Sequence, residues 1–266
     1  MAQDPLLCGA APPDTQAQRR FSGLDRLYGP EPAQAVRNAH VVVVGIGGVG
    51  SWAAEALARS GVGRITLVDM DHVSESNINR QIHAITPTLG MAKITAMAER
   101  ITLINPGCQV LGVDAFVDAD NWLQLLPKGA DAVIDACDQV IAKTAMSQWA
   151  RQSGGHFITV GAAGGKRQAH EVTICDLSAC SHDPLLAQVR YRLRKFHGAP
   201  KEGKKMGVAC VSSPEPVASA QGAAQDDNTL NCHGYGSAVT VTASFGLVAA
   251  SLVVNYLATG LAKPKI

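Results

Sequence analysis

Six side chains in this sequence are of the types that handle a polyphosphate. Asp69, Asp135 and Asp138 are carboxylates, Arg80 and Lys93 are cations, and Asn77 is an amide. A carboxylate at a strand tip can hold a ribose hydroxyl, and a pair such as Asp135 and Asp138 (DACD) offers hard oxygen ligands to Mg²⁺. Arg and Lys neutralise the charge that develops as pyrophosphate departs. Gly45, Gly47 and Gly50 stand in G-x-G-x-x-G spacing, with Gly48 as an extra glycine. Bare turn glycines before a helix let the backbone approach phosphate. Each residue also has a plainer use: Lys93 on a solvated face, Asn77 in a turn, Asp138 as a helix cap. Glycine fingerprint and Asp69 would equally suit NAD, but Arg80 and Lys93 suit a triphosphate better than a nicotinamide ring. Together these residues point to an ATP site.

The elements that must position them are readable from pattern. Val41–Val44 is a β-branched run of the kind buried on both faces of a sheet, and Ser51–Arg59 is a helix-forming stretch. Ile65–Val68 is a second strand, ending at Asp69. Gly90–Ile104 predicts a helix, which Asn105–Pro106 ends. Val110–Val117 predicts a strand, Asp118–Leu126 a short helix capped by Asp118 or Asp120, and Ala132–Asp135 a fourth strand. A helix near Val140–Arg151 and a strand at Phe157–Gly161 follow, then the GAAGG loop at Gly161–Gly165. Such alternation predicts an α/β fold, a Rossmann-like, mostly parallel sheet with helices on both faces, whose ligands sit beyond the carboxyl ends of its strands.

The rest of the chain is expected to be less regular. Met1–Arg19 is expected as a disordered lead, residues 20–176 as the nucleotide-binding core, and residues 177–266 as an irregular C-terminal extension on the same domain. Arg20–Gly29 suits either a surface helix or a cationic arm. Gln168–Asp176 predicts a strand, Leu185–Phe196 a basic amphipathic helix, and Ser212–Asp227 a mobile loop. Arg190, Arg192, Arg194 and Lys195 concentrate positive charge on that helix, with Lys201, Lys204 and Lys205 beyond it. Ser237–Leu261 carries no charged residue over a length that would cross a bilayer. Its nine Ser, Thr, Asn and Gly residues and the lack of flanking aromatic belts favour a buried helix over a membrane span.

Composition narrows the classes. The chain has 266 residues, 47% of them hydrophobic, with a formal charge of +1. That balance excludes a generally basic nucleic-acid coat and leaves room for local patches. Seven cysteines without a C-x-x-C pair suggest neither a disulfide framework nor a cysteine zinc site, and a cytoplasmic location is expected.

Gly45–Gly50, Asp69-x-Asp71, Ser76–Gln81, Lys93 and Asp135–Asp138 together resemble the adenylation domain of the ubiquitin-activating superfamily. RLYG at Arg26–Gly29, NRQIHA at Asn79–Ala84, GAAGG, DPL at Asp183–Leu185, GVAC at Gly207–Cys210 and VTVTASFG at Val239–Gly246 resemble one of its branches, the tRNA threonylcarbamoyladenosine dehydratases. The resemblance implies an ATP-dependent ligase that cyclises threonylcarbamoyladenosine in tRNA through an acyl-adenylate. It further implies that Asp69 binds ribose, that Asp71, Asn77, Arg80, Gln81 and Lys93 serve the nucleotide, and that Asp138 binds Mg²⁺ with Asp135 near it. A homodimer is implied, with Arg20 and Arg26 the candidates for an arm arginine reaching its partner's phosphates, although alignment puts Gly23 at that position. Cys232 and Cys210 are the thiols a covalent route or a cysteine-desulfurase relay would use. Arg190, Arg192, Arg194 and Lys195 become candidate tRNA contacts. Three alternatives stay open: an adenylyltransferase acting on the Gly-Gly terminus of a sulfur carrier, an NAD-linked oxidoreductase and a nucleotide-sensing scaffold.

Overall fold

β1 (His40–Val44) is the centre of the sheet, and all five of its residues are buried. Val41 and Val43 join one core and Val42 and Val44 the other, so alternation along one strand feeds both faces. Burying each such side chain contributes roughly 1.5–3 kcal/mol. The computed structural model describes residues 13–201, 203–218 and 235–260.

β1 is flanked by β2 (Arg64–Val68) and β4 (Ala132–Asp135), both parallel to it. β3 (Gln109–Val113) extends the sheet beyond β2, and β5 (His156–Val160) extends it beyond β4. β7 (Ala209–Ser212) then pairs parallel to β5, and β6 (Thr173–Asp176) closes the edge antiparallel to β7. The order β3-β2-β1-β4-β5-β7-β6 reverses direction at β1 and β4, the switch point at which such sheets open a ligand crevice.

The helices are α1 (Pro13–Tyr28), α2 (Pro30–Asn38), α3 (Gly50–Arg59), α4 (Lys93–Ile104), α5 (Trp122–Leu125), α6 (Val140–Ser153), α7 (Pro184–Phe196) and α8 (Val239–Thr259). On one face α3, α4 and α8 bring Leu57, Met97 and Phe245 against Val41 and Val43. On the other, α6 and α7 bring Met146 and Val189 against Val42 and Val44. The α/β architecture is the one the alternating pattern predicts.

Several expectations are corrected. Residues 13–19 belong to α1 rather than to a disordered lead; proline is tolerated in a first helical turn, and Phe21 buries the apolar side of the helix. Residues 1–12 lie outside the described residues. The strand expected at Gln168–Asp176 is only Thr173–Asp176, because Ala169–Glu171 forms a 3-10 turn. The strand expected at Val110–Val117 stops at Val113, and α5 is a single turn after the Asp118 loop. β7 was not foreseen, and it comes from the segment read as an irregular extension.

α8 is long and apolar enough to cross a membrane by length and composition. In the fold it lies on α3, where Gly246 permits the crossing: an added Cβ would stand 2.9 Å from both Ala53 N and Trp52 Cβ. Leu247, Ser251, Asn255 and Thr259 form its exposed side.

Candidate functional site

The carboxyl ends of β1, β2 and β4 open into a cavity of about 320 Å³. Its floor is the glycine loop between β1 and α3. Gly45 has φ +84°, and an added Cβ would lie 2.7 Å from Cys137 N, so the loop is pressed against the turn after β4. An added Cβ at Gly50 would collide with the Gly45 carbonyl. Only glycine allows both approaches. Gly47 and Gly48 line the cavity, and the first N–H groups of α3 are oriented by the same turn.

Asp69 stitches this loop to the tip of β2. Its Oδ2 accepts from Ile46 N at 2.6 Å and its Oδ1 from Asp71 N at 2.8 Å. Burial pushes the Asp69 carboxyl above the usual range, against the pull of Lys93 and those two N–H groups. Lys93 opens α4, largely buried, and its Nζ donates to Asp71 Oδ2 at 2.7 Å. Arg80 is fixed through its backbone: its carbonyl accepts from Trp52 Nε1 at 3.0 Å and Thr242 Oγ1 at 3.3 Å. Its guanidinium donates to Ser76 O at 2.5 Å and Asn79 Oδ1 at 3.0 Å and lines the cavity. Asn77 both caps a turn, with its Oδ1 accepting from Ser74 N at 3.1 Å, and faces the cavity. Gln81 also lines it, and its buried Oε1 has no hydrogen-bond partner among the described residues. Asp138 is exposed at the cavity wall, where its Oδ1 accepts only a 3.3 Å bond from Gln139 Nε2 among the described residues.

The expected pair Asp135 and Asp138 divides. Asp135 is fully buried and turned into the core, where its Oδ2 meets Lys143 Nζ at 3.1 Å and Thr159 Oγ1 at 2.6 Å. Its Oδ1 accepts from the Cys137 thiol at 3.1 Å. The Lys143 amine also donates to Val160 O at 2.7 Å. Burial opposes its charge, but the Asp135 carboxylate outweighs it and holds the amine above the usual lysine range. Asp135 is therefore a structural anchor, not a cavity ligand. One exposed carboxylate suits Mg²⁺, which takes few protein ligands and completes its shell from phosphates and water.

Other candidates also move. Arg20 donates to Ile104 O at 3.1 Å, at the far end of α4 and about 17 Å along its axis from Lys93. Arg26 bonds Ser22 Oγ at 3.5 Å, so neither arginine reaches this chain's own cavity. Cys210 is buried in β7, where desolvation pushes its thiol up, and it is not a nucleophile facing the site. Cys232 lies outside the described residues. On α7, Arg190 donates to Leu177 O and Cys180 O, and Arg194 to Pro200 O, so both guanidinium groups are engaged with the fold. Arg192 lies over Phe196 and Lys195 over Tyr191 and Phe196, while α7 ends before Lys201. Sequence reasoning missed Lys143, Cys137, Phe116 and Tyr235. Only Cys137, inside DACD, carried a local signal.

The ThiF family model matches residues 19–265. The chain belongs to the ThiF family. This ThiF-family chain is 45% identical over 245 residues to the tRNA threonylcarbamoyladenosine dehydratase of Escherichia coli (strain K12), covering 88% of the chain and 91% of that relative. The enzyme of the same name from Haemophilus influenzae is 42% identical over 244 residues, 90% of the chain and 94% of the relative. The crystal structure of the E. coli dehydratase in complex with ATP superposes with a TM-score of 0.82 at 45% identity, covering 90% of this chain and 94% of that one. Its complex with AMP gives 0.84 at 44% identity, with 92% and 97% covered.

Proposed function

We propose that this protein is an ATP-dependent tRNA threonylcarbamoyladenosine dehydratase. The observation that carries it is the convergence of Asp69, Asn77, Arg80, Lys93 and Asp138 on one glycine-floored cavity, in a chain 45% identical to a dehydratase whose structure was solved with ATP.

Asp69 holds the ATP ribose, and the glycine loop with the start of α3 cradles the phosphates. Arg80 and Lys93 leave their carbonyl and carboxylate partners to meet the polyphosphate, and Asp138 is the residue that would hold Mg²⁺, which supplies further charge neutralisation when bound. The threonyl carboxylate of the modified adenosine attacks the α-phosphate and expels pyrophosphate. The neighbouring carbamoyl group then closes a five-membered ring and expels AMP, which carries off the former carboxylate oxygen. The net change in the nucleoside is loss of one water. Both reacting groups belong to one nucleoside, so proximity is intrinsic and no thiol relay is required.

RNA approach falls to the exposed side of α7 and the loop beyond it. Tyr191, Lys195, Lys201, Lys204 and Lys205 are exposed there, with Arg192 behind them. Arg190 and Arg194 act by bracing that surface. A homodimer, through which alone an arm arginine could approach the phosphates, and a cytoplasmic location complete the proposal.

The test is mass spectrometry of nucleosides from tRNA incubated with the protein and Mg·ATP. Threonylcarbamoyladenosine should lose the mass of one water with release of AMP. Unchanged nucleoside under conditions that support ATP binding would refute the activity.

A further inference from the structure

The cavity changes character from one side to the other. Beyond β2 and β3 it is lined by Asp69, Phe116 and Lys93, which pairs with Asp71 just past β2, and at β1 and β4 by the glycine loop, Arg80 and Asp138. At the tip of β5 its lining holds no charged side chain among the described residues: Ala162, Ala163, Leu185 and Val217 are small or apolar, and Tyr235 is the one aromatic.

The fold builds this third zone deliberately tight. Asp183, buried at the start of α7, accepts from Leu186 N at 3.0 Å and from Ala162 N at 2.9 Å, which ties α7 to the GAAGG loop. Gly165 has φ +74°, and an added Cβ would lie 2.6 Å from Val217 Cγ1. Gly165 N donates to Gly236 O at 2.9 Å and Ala218 N to Gly165 O at 2.8 Å. Those two bonds bring Val217 and Tyr235 together at the cavity wall, with Tyr235 still 40% exposed.

An uncharged, largely apolar wall with one half-exposed aromatic side chain suits a nucleobase and does not suit a phosphate. It is not where the adenine of ATP belongs, since the ribose acid Asp69 places that adenosine at β2. From β2 to β5 is three strand spacings, about 14 Å, with the phosphate zone between them. We infer that the β5 end receives the base of the modified adenosine, stacked on Tyr235, with its threonyl carboxylate directed back toward the α-phosphate. The inference rests on the dehydratase reading and adds the acceptor site to it.

The test uses the full chain and an RNA hairpin bearing one threonylcarbamoyladenosine. Wild type, Tyr235→Ala and Tyr235→Phe are compared for KM, kcat, thermal midpoint and ATP affinity without RNA. Tyr235→Ala should raise KM for the hairpin about tenfold or more, the scale of a lost base stack, and leave ATP affinity and the midpoint unchanged. Tyr235→Phe should restore KM. An unchanged KM in Tyr235→Ala refutes the stack. Weaker ATP binding in that variant, or failure of phenylalanine to rescue, also overturns it by assigning the ring to ATP or to folding. Failure of the wild type to convert the hairpin would instead refute the dehydratase reading.

Discussion

Lys143→Met is the sharpest probe of how the site is held. Lys143 and Asp135 are both fully buried and their charges meet at 3.1 Å. Removing one partner of such a pair typically costs about 3–5 kcal/mol, because the other charge is left in the interior without compensation. Here Asp135 keeps Thr159 Oγ1 at 2.6 Å and the Cys137 thiol at 3.1 Å, so the low end applies. A loss of about 3 kcal/mol in a chain of this size lowers the thermal midpoint by roughly 6–12 °C. The same change frees the turn that carries Asp138, so turnover should fall along with stability. Asp135→Leu with Lys143→Met removes both charges and should recover most of the stability, without restoring the turn's geometry. The assay is urea denaturation followed by tryptophan fluorescence on the wild type, both single variants and the pair. A single variant within about 1 kcal/mol of wild type, or strictly additive losses in the pair, would refute the anchor.

Three further outcomes are expected. Arg80→Ala and Lys93→Ala should each lower ATP-dependent turnover by about 10²-fold, the scale of a lost transition-state donor, and Mg·ATP but not NADH should raise the wild-type thermal midpoint. His83 is buried with neither ring nitrogen bonded among the described residues, and burial first, then Lys93 and Arg100, push its pKa down to about 4. The unfolded chain therefore binds more protons between about pH 6.5 and 4, so stability should fall as pH drops through that window, by about 3 kcal/mol in all; His83→Leu should flatten that slope in denaturation curves across the range. Lys195→Glu with Lys204→Glu should weaken tRNA binding and reduce its dependence on salt, measured by filter binding across a salt titration, with ATP affinity unchanged.

The nucleotide half of the site is legible in local pattern. Glycines at 45, 47, 48 and 50 sit between a β-branched run and a helix former, and Asp69 follows a second apolar run, so spacing alone places them around one cavity. The long uncharged stretch near the C-terminus likewise announces α8, whose Ser251, Asn255 and Thr259 fall on its exposed side while Thr242 turns inward to the Arg80 carbonyl. Tertiary structure decided what each charge faces. Asp135 and Asp138 look equivalent in DACD, but strand pleating turns Asp135 inward, where a lysine eight residues on and a threonine on the neighbouring strand claim its carboxylate. β7 has four residues, too few for a period to show, and exists because β5 and β6 offer it backbone partners on both sides. Arg190 and Arg194 read as a basic stripe, yet carbonyls brought near by the turns after β6 and α7 take their guanidinium groups. Tyr235 is held at the cavity by bonds from distant residues to its neighbours: Gly165, seventy residues earlier, to Gly236, and Asn79 to Ser237. Periodicity reports which face of an element is buried, whereas hydrogen bonds and ion pairs between distant residues form only once the elements have packed.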